Sequence, residues 1–372
     1  YDLARLRSQL DGLRAGLPAS IDIQYSLKAN PAVGLGKVIA ERGFGADVVS
    51  IGELAAALQA GFSAERIFVS GPYKSPEMLA SLRLLPEALL SVDSVSELRG
   101  LAEGPHENRL VLRLRPDFAP SAVMTTGPGS RFGIPIEDLA SCGRYARRVV
   151  GFHVFAGSQV LDAGAVVEHL RRSLDLSVRA ADLLGVQPEI FNLGGGFGIP
   201  YGPGEPELNL LPIAEELERL ADRVSPARIV IELGRYMVAQ SGWYLTQVVA
   251  QQSYRGRRAV VVNGGVHQRA DLCGIDLRRK SVPPKLLQPG RGLISPTDVL
   301  GCLCLPDDIL VEASPIPAVE PGDFLAFPNA GAYGLSASPV LFLSHPPPVE
   351  VAFDGLKMEL LRTPRGPLQG EA

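Results

Sequence analysis

The sequence predicts an α/β protein in which a (β/α)8 TIM-like barrel spans residues 1–238 and a mainly β C-terminal domain spans residues 239–372. Short runs rich in β-branched residues recur eight times in the first part, with segments of helical apolar spacing between them. Eight such alternations within about 220 residues match the size of a closed barrel. In the second part the runs are separated by Gly, Pro, Asp and Asn, and long helical periodicity ends, which favours β structure.

The eight predicted barrel strands are each four to six residues long, and they are Asp22–Leu27, Ala46–Val49, Arg66–Val69, Leu89–Val92, Arg109–Leu114, Gly151–Phe155, Glu189–Leu193 and Arg228–Glu232. The clearest predicted helices between them are Ile51–Gly61, Ser94–Ala102, Asp162–Gly185 and Ala214–Val224. Asp162 is the expected N-cap of the longest helix, and Gly185 is its expected stop. An open doubly wound sheet would carry phosphate-binding glycines after its first strand, whereas here they follow the seventh.

The C-terminal domain is predicted from six short runs, which are Tyr244–Gln251, Arg258–Val262, Leu300–Cys304, Ile309–Ala313, Phe324–Phe327 and Val349–Phe353. The proline- and glycine-rich stretch 283–296 is predicted to be a loop, and Pro346–Pro348 a rigid connector.

The composition is that of a globular protein with a substantial core. The chain has 372 residues, of which 46% are hydrophobic and 20% charged, and a formal net charge of −4. A nucleic-acid partner is not expected because no basic block is present. A membrane partner is not expected either, because no apolar run approaches the roughly 18 residues of a membrane span. We therefore expect a cytoplasmic protein.

The four cysteines, Cys142, Cys273, Cys302 and Cys304, are too few and too irregularly spaced for a disulfide framework. Reduced thiols are the expected state. The five histidines are scattered along the chain, and no run of Cys and His has metal-ligand spacing. We therefore expect no metal site.

Lys28 and a glycine cluster stand at two predicted strand ends, where a barrel of this kind places its active site. Lys28 directly follows the first predicted strand, and Gly194–Gly198 follows the seventh. Alone, Lys28 is typical of a surface lysine and the glycines of an ordinary turn. Together they suggest pyridoxal phosphate, because this cofactor needs an amine for its aldehyde and close backbone amides for its phosphate.

Glu232 ends the eighth strand, and Arg235 follows it. By default this pair would form a structural ion pair. Facing a pyridine nitrogen, the carboxylate would keep that nitrogen protonated and the ring a strong electron sink, which favours decarboxylation over racemisation.

Six segments in order along the chain together resemble the pyridoxal-phosphate-dependent decarboxylases of the alanine racemase fold, which act on diaminopimelate, ornithine and arginine. The segments are YSLKANP around Lys28, GFHVFAGSQ at 151–159, GGGFG at 194–198, ELGR at 232–235, GCLCLPDD at 301–308 and GAY at 331–333. The resemblance covers nearly the whole chain and implies a barrel followed by a β-domain.

The resemblance also implies roles for individual residues. Lys28 would bond covalently to the cofactor aldehyde, Glu232 would pair with the pyridine nitrogen, and Tyr333 would hold the phosphate with Gly194, Gly195 and Gly196. The remaining residues implied to contact the cofactor are Asp47, Glu53, Arg113, Phe155, Ser158 and Arg235. Cys304 would return a proton to the substrate from the other subunit of a homodimer with shared active sites, and Leu305, Asp308 and Tyr333 would contact substrate.

Two positions depart from the diaminopimelate and ornithine enzymes. Phe155 stands where they carry a histidine that stacks on the cofactor, and an aromatic ring can still stack there. His153, two residues earlier, is expected on the opposite side of the strand. Leu305 replaces an acidic residue that receives the distal end of the substrate, and leucine cannot pair with an ammonium group. The sequence therefore looks like the specialised-metabolism branch, whose members act on amino-acid head groups in siderophore precursors or on carrier-protein-linked aminoacyl groups.

Several other functions stay open at this point. A diaminopimelate, ornithine or arginine decarboxylase remains an alternative. A racemase of the same fold would carry Arg near the pyridine nitrogen, so Glu232 argues against it. A non-catalytic regulator would be expected to lose Lys28 or the glycines. An aldolase that uses Lys28 without pyridoxal phosphate would lack the cofactor spectrum.

Overall fold

The computed structural model describes residues 1–119, 124–125, 127, 129–254, 256–273 and 283–362. The chain divides into two compact units. The barrel unit comprises Arg7–Ile199 and Glu207–Met237, and the β unit comprises Tyr1–Leu6, Pro200–Pro206 and Val238–Ala372.

The barrel unit is built on a closed barrel of eight parallel strands, which confirms the predicted fold class. The barrel strands are β1 (Ile21–Ser26), β2 (Gly45–Val48), β3 (Ile67–Val69), β4 (Leu89–Val92), β5 (Arg109–Leu114), β7 (Val149–Val154), β9 (Ile190–Gly195) and β10 (Arg228–Leu233). Strand β10 pairs with β1 and closes the barrel. The short strands β6 (Met124–Thr125) and β8 (Gly157–Ser158) form a separate antiparallel pair.

The α-helices among the described residues are α1 (Leu3–Gly16), α2 (Val33–Ala40), α3 (Ile51–Ala60), α4 (Pro76–Leu82), α5 (Val95–Glu103), α6 (Ala163–Leu184), α7 (Leu211–Val224) and α8 (Arg235–Val238). A 3-10 helical stretch spans Ile136–Arg148. The predicted caps of the longest helix are confirmed, because Asp162 Oδ1 accepts the Ala165 N–H at 2.7 Å and Gly185 ends α6 with φ 62°.

The barrel interior is filled by apolar side chains from five different strands. Phe68, Leu89, Val111, Ile190 and Val230 form one buried cluster, and each is at most 4% exposed. Because side chains alternate across a strand, these residues fill the barrel while their neighbours pack against helices. The barrel is therefore a packed core, and its polar side chains gather where the strands end.

The β unit contains a six-stranded sheet in the order β13-β16-β11-β12-β14-β15 and the hairpin β17-β18. Its strands are β11 (Tyr244–Tyr254), β12 (Arg257–Val262), β13 (Lys285–Leu286), β14 (Arg291–Leu300), β15 (Ile309–Ala318), β16 (Phe324–Phe327), β17 (Glu350–Phe353) and β18 (Met358–Arg362). Its core includes Val248, Val260, Val299, Leu310 and Phe327.

Two predictions for this unit are wrong. The stretch 283–296 contains strand β13 and much of β14 instead of a loop. Pro296 is tolerated because β12 pairs with β14 only from Thr297 onward. The run Leu300–Cys304 is a turn, since β14 ends at Leu300 and the Leu303 N–H donates to the Asp308 side chain at 2.8 Å.

Among the described residues, none of the helices has both the length and the apolar character needed to cross a lipid bilayer.

Candidate active site

Lys28 lies just beyond the carboxyl end of β1, in a single 3-10 turn formed by Leu27–Ala29. Leu27 and Ala29 are buried, whereas Lys28 is exposed. The Tyr25 hydroxyl donates to the Asn30 carbonyl at 2.7 Å across the turn. The anchored turn thus holds the lysine at the mouth of the barrel.

Asp47 occupies the neighbouring strand β2, where it is paired in register with Ser26. Its side chain is buried, and its Oδ1 accepts a hydrogen bond from the Ser70 hydroxyl at 2.5 Å. Among the described residues, its Oδ2 has no hydrogen-bond partner. Burial, followed by the charge of Glu232, raises the pKa of Asp47, while Lys28 opposes this shift. Asp47 therefore offers a partly unsatisfied polar group beside Lys28.

Glu232 is buried on β10 and is held as an anion by several partners. The Asn192 amide donates to Glu232 Oε1 at 2.7 Å, and His153 Nε2 lies 3.4 Å from the same oxygen. Burial alone would raise the pKa of Glu232, but His153, Lys28 and Asn192 outweigh it, so the pKa falls well below its ordinary range. The carboxylate is therefore available to bind a protonated ring nitrogen.

The structure corrects the expectation for His153. Residues two apart on a strand point to the same side, and His153 Nε2 lies 3.4 Å from the site residue Glu232, so the expected placement on the opposite side is wrong. His153 Nδ1 lies 2.9 Å from the Ser91 hydroxyl, and its ring packs edge-on against Phe68. His153 is thus a buried, hydrogen-bonded histidine, as expected, but it supports Glu232 inside the barrel.

Phe155 follows β7 and lies at the mouth, with its ring centroid 5.2 Å from Lys28 Nζ. Lys28 interacts electrostatically with Asp47, Glu53 and Glu232. The structure therefore brings together, within one unit, the predicted amine, the aromatic ring and three of the predicted carboxylates.

The glycines after β9 are required by close backbone contacts. Gly194 and Gly196 have φ values of 68° and 80°, which side chains rarely adopt. A Cβ on Gly194 would lie 2.7 Å from the Val154 carbonyl oxygen, and one on Gly195 or Gly196 would collide with the carbonyl of Glu232 or Gly157. This segment therefore presents backbone without covering side chains, as anion-binding loops do.

The other predicted cofactor contacts in the barrel have identifiable structural partners. The Glu53 carboxylate accepts the Val49 N–H at 2.9 Å at the start of α3, and burial raises its pKa to about 7. Arg113 lies 3.4 Å from Asp93 and stacks over Phe132.

Two more of these predicted contacts lie at strand and helix ends. Ser158 is half-buried on β8, and Arg235 is buried at the first position of α8. Gly234 lies between the end of β10 and Arg235. A Cβ on Gly234 would lie 3.0 Å from the Ala29 side chain, so this glycine lets the end of β10 pack against the turn that carries Lys28.

Four predicted residues belong to the β unit. Cys304 is an exposed free thiol, unlike the buried and inert thiol that is usual for cysteine. Leu305 is half-buried, and Tyr333 is half-buried with φ 56°. Both Asp308 oxygens accept backbone N–H groups, from Val266 at 2.7 Å and from Leu303 at 2.8 Å. Asp308 therefore orders two loops of its own unit.

Asn192 is a site residue that the sequence-based assignment missed. It is fully buried, and its Oδ1 accepts the Gly194 N–H at 3.0 Å while its amide donates to Glu232. Asn192 therefore joins the glycine segment to the carboxylate. Its position two residues before the glycine run was a signal, but an asparagine there is also typical of turns.

A family model described as "Pyridoxal-dependent decarboxylase, pyridoxal binding domain" matches residues 3–239. The chain belongs to this family of pyridoxal-dependent decarboxylases. Its cofactor is pyridoxal phosphate, as expected, and the predicted function as an amino-acid decarboxylase is confirmed at the level of the family.

Similar proteins support the assignment over the whole chain. The L-glutamyl-[BtrI acyl-carrier protein] decarboxylase of Niallia circulans is 33% identical over 97% of this chain and 90% of its own. A diaminopimelate decarboxylase of Actinosynnema pretiosum subsp. auranticum is 33% identical over 97% of this chain and 85% of its own. Among solved structures, Helicobacter pylori diaminopimelate decarboxylase complexed with L-lysine has a TM-score of 0.88 and 26% identity, covering 98% of this chain and 93% of that one.

The residues of the barrel fit the cofactor of this decarboxylase family. Asp47 Oδ2 is a buried polar atom without a hydrogen-bond partner among the described residues, and the segment Gly194–Gly196 is restricted to glycine because a Cβ would collide with neighbouring backbone. Lys28 supplies an accessible amine, and Glu232 supplies a carboxylate held in its charged form. The described site therefore contains groups suited to the aldehyde, phosphate and pyridine nitrogen of the cofactor.

Proposed function

We propose that this decarboxylase removes the α-carboxylate of an aminoacyl group carried on a larger molecule, and that its preferred substrate is a glutamyl group linked to a carrier protein. The observation that carries this proposal is Leu305, a half-buried apolar side chain where the resemblance places an acid for the distal amine of the substrate. An apolar side chain offers no partner to an ammonium group. It is compatible with a neutral distal group.

The chemistry of the cofactor narrows the way in which such a substrate is attached. The reaction needs the free α-amine and the free α-carboxylate of the amino acid. A glutamyl group must therefore be joined to its carrier through its side-chain carboxyl, which becomes a neutral acyl group. The similarity to a glutamyl-carrier-protein decarboxylase over 97% of the chain supports this choice.

The proposed roles of the residues follow from their positions. Pyridoxal phosphate, when bound, withdraws electrons from the α-carbon so that carbon dioxide can leave. Lys28 would bind the cofactor and receive it again after each turnover. Glu232, kept anionic by Asn192 and His153, would hold the proton on the ring nitrogen, and Phe155 would stack on the ring.

The remaining cofactor contacts are proposed from the family resemblance. Gly194, Gly195 and Gly196 would donate backbone N–H groups to the phosphate, together with Tyr333. The other proposed contacts with the cofactor are Asp47, Glu53, Arg113, Ser158 and Arg235.

Cys304 is proposed as the general acid that returns a proton to the α-carbon, with Leu305, Asp308 and Tyr333 near the substrate. We also propose a homodimer in which Cys304 reaches the partner's barrel, and the domain division 1–238 and 239–372. A cytoplasmic location is proposed because Cys142, Cys302 and Cys304 are free thiols.

A diaminopimelate decarboxylase is the second candidate, favoured by the 33% identity to the Actinosynnema enzyme. Ornithine, arginine and citryl-linked diamino acids are further substrates to compare.

The test is carbon dioxide release from a panel of free diamino acids, free glutamate, a citryl-linked diamino acid and a glutamyl group linked through its side chain to a carrier protein. We expect the carrier-linked substrate to give the highest kcat/KM. Leu305→Glu should shift the preference toward diamino acids, whereas Leu305→Gln, which adds polarity without charge, should not. A wild-type preference for diaminopimelate would overturn the proposed substrate.

A further inference from the structure

The β unit contains a cluster of three metal-ligating side chains, formed by His267, Cys302 and His345. One ligand atom from each residue, a ring nitrogen or the Sγ, lies within 4.8 Å of the other two. The two imidazole rings lie 5.2 Å apart, centroid to centroid, at an angle of 42°. No ion pair or disulfide among the described residues explains why these three side chains converge.

His267 is the most informative member of the cluster. It is only 1% exposed, and neither Nδ1 nor Nε2 has a hydrogen-bond partner among the described residues. A buried imidazole normally satisfies at least one of its nitrogens, because an unpaired buried polar group is destabilising. Here, a ring whose two nitrogens both lack hydrogen bonds lies beside a thiol and a second imidazole. A bound cation would supply the missing partner.

The backbone around Asp308 holds two of the three ligands in place. The Asp308 carboxylate accepts the N–H of Val266, the residue before His267, and the N–H of Leu303, the residue after Cys302. The Cys302 N–H also donates to the Gly264 carbonyl at 2.9 Å. One buried carboxylate therefore fixes the spacing of the two loops, which is the support that outer-sphere groups give to metal ligands.

His345 reaches the cluster from a separate segment. The two residues before it, Leu343 and Ser344, both have left-handed backbone conformations, with φ values of 54° and 58°. Such conformations are costly for side-chain-bearing residues and are found preferentially at functional sites. Pro346 follows directly and restricts the backbone of His345 to an extended conformation, with φ −67° and ψ 145°.

We propose that His267, Cys302 and His345 form a binding site for a divalent transition metal, with Zn²⁺ as the preferred ion. A thiolate with two imidazoles is a ligand set that favours zinc over magnesium or calcium. Zinc-to-ligand distances of about 2.0–2.3 Å put the ligand atoms of a tetrahedral site about 3.3–3.8 Å apart, so atoms that lie up to 4.8 Å apart would close in by about 1 Å around the ion. Three protein ligands leave a fourth position for water. Cys302 would lose its proton to the solvent on binding.

This site was not visible in the sequence, where no metal was expected. The three ligands are far apart along the chain, at positions 267, 302 and 345, and no two of them form a recognised short motif. The proposal is independent of the substrate of the barrel and of the role of Cys304.

The test is metal binding by the untagged holoenzyme. The protein is incubated with Zn²⁺, passed through gel filtration and analysed for zinc per chain, and the affinity is measured by competition with a chromophoric chelator. Co²⁺ is then added in place of Zn²⁺, because a four-coordinate cobalt–thiolate centre has a characteristic absorption. The variants are Cys302→Ser and His345→Asn, with Cys304→Ser as the matched control two residues away.

We expect about one zinc per chain, and loss of a ligand should weaken binding by more than the 10–100-fold that outer-sphere changes cost. Cys302→Ser should also abolish the cobalt–thiolate absorption, while Cys304→Ser should keep both signals. Absence of retained zinc in the wild type would overturn the proposal. Equal affinity in Cys302→Ser and the wild type, or equal loss in Cys304→Ser, would also overturn it.

Discussion

Replacing Asn192 should change the charge state of Glu232 by removing a single neutral hydrogen-bond donor. Its amide donates to the buried carboxylate at 2.7 Å, and its Oδ1 accepts the Gly194 N–H. A hydrogen bond to a charged group is worth about 1.5–3 kcal/mol, which corresponds to about 1–2 pKa units. Asn192→Ala should therefore raise the pKa of Glu232 by about that amount.

The direction of the pH effect follows from the depressed pKa of Glu232. Stability that depends on its anionic form is present above the unfolded pKa and is lost as the pH falls through the folded pKa. In Asn192→Ala the folded pKa lies higher, so protonation begins at a higher pH. The affinity for pyridoxal phosphate, which we propose depends on this anion, should therefore weaken at a pH about 1–2 units higher than in the wild type.

The assay is a spectrophotometric titration of cofactor-free protein with pyridoxal phosphate between about pH 2 and 6, the range that contains the lowered pKa of Glu232 in both proteins. The matched control is Asn108→Ala, which removes another buried barrel asparagine whose amide donates to the Leu85 carbonyl at 2.7 Å. The control should lose stability, but the pH at which its affinity for pyridoxal phosphate weakens should stay the same as in the wild type. The prediction would be contradicted if the affinity of Asn192→Ala weakened at the same pH as that of the wild type, or if the control showed an equal shift.

Three further predictions concern other parts of the chain. Gly194→Ala should destabilise the protein more than Gly185→Ala in urea unfolding. Both glycines have a left-handed backbone conformation, which costs alanine roughly 1–2 kcal/mol, but only at Gly194 would a Cβ also contact backbone atoms. Equal losses of unfolding free energy in the two variants would contradict this prediction. Glu53→Gln should remove part of the gain in stability as the pH falls from about 7 to 4.5, since the raised pKa of Glu53 makes its folded form bind protons more tightly; an unchanged pH profile would rule this out. Cys304→Ala should lower kcat by about 10²–10⁴ with unchanged cofactor affinity, and full activity would remove Cys304 from the mechanism.

The barrel was predictable because its strands are continuous apolar runs and its helices carry local caps. Strands β4 and β5 have the predicted bounds, and Asp162 and Gly185 cap α6 as expected. These signals are local in sequence, so they can be recognised without knowledge of the fold.

The errors in the β unit arise where distant contacts override local signals. Pro296 suggested a loop, but it sits in a part of β14 that pairs only with β15, so its missing N–H breaks no hydrogen bond with β12. The run after Leu300 suggested a strand, but Asp308 binds its backbone into a turn. Neither the pairing of β14 with β15 nor the hydrogen bond to Asp308 can be recognised from the local sequence pattern.

In the candidate site, too, residues with a local sequence signal were predicted, and residues whose role depends on distant contacts were missed. Lys28, the glycines and Glu232 were found because each lies at the end of a predicted strand or directly after it. Asn192 was missed because its role depends on a contact with a carboxylate 40 residues away. The cluster of His267, Cys302 and His345 was missed for the same reason, since only the folded chain brings these ligands together.

The most direct test of the proposed active site is to locate the lysine that holds the cofactor. The holoenzyme is reduced with borohydride, digested and analysed by mass spectrometry for a pyridoxyl group. We predict modification of Lys28 and loss of the near-visible cofactor absorbance in Lys28→Ala. Modification of Lys74, the buried lysine bound to Glu97 at 2.6 Å, or an unchanged spectrum in Lys28→Ala, would contradict the account.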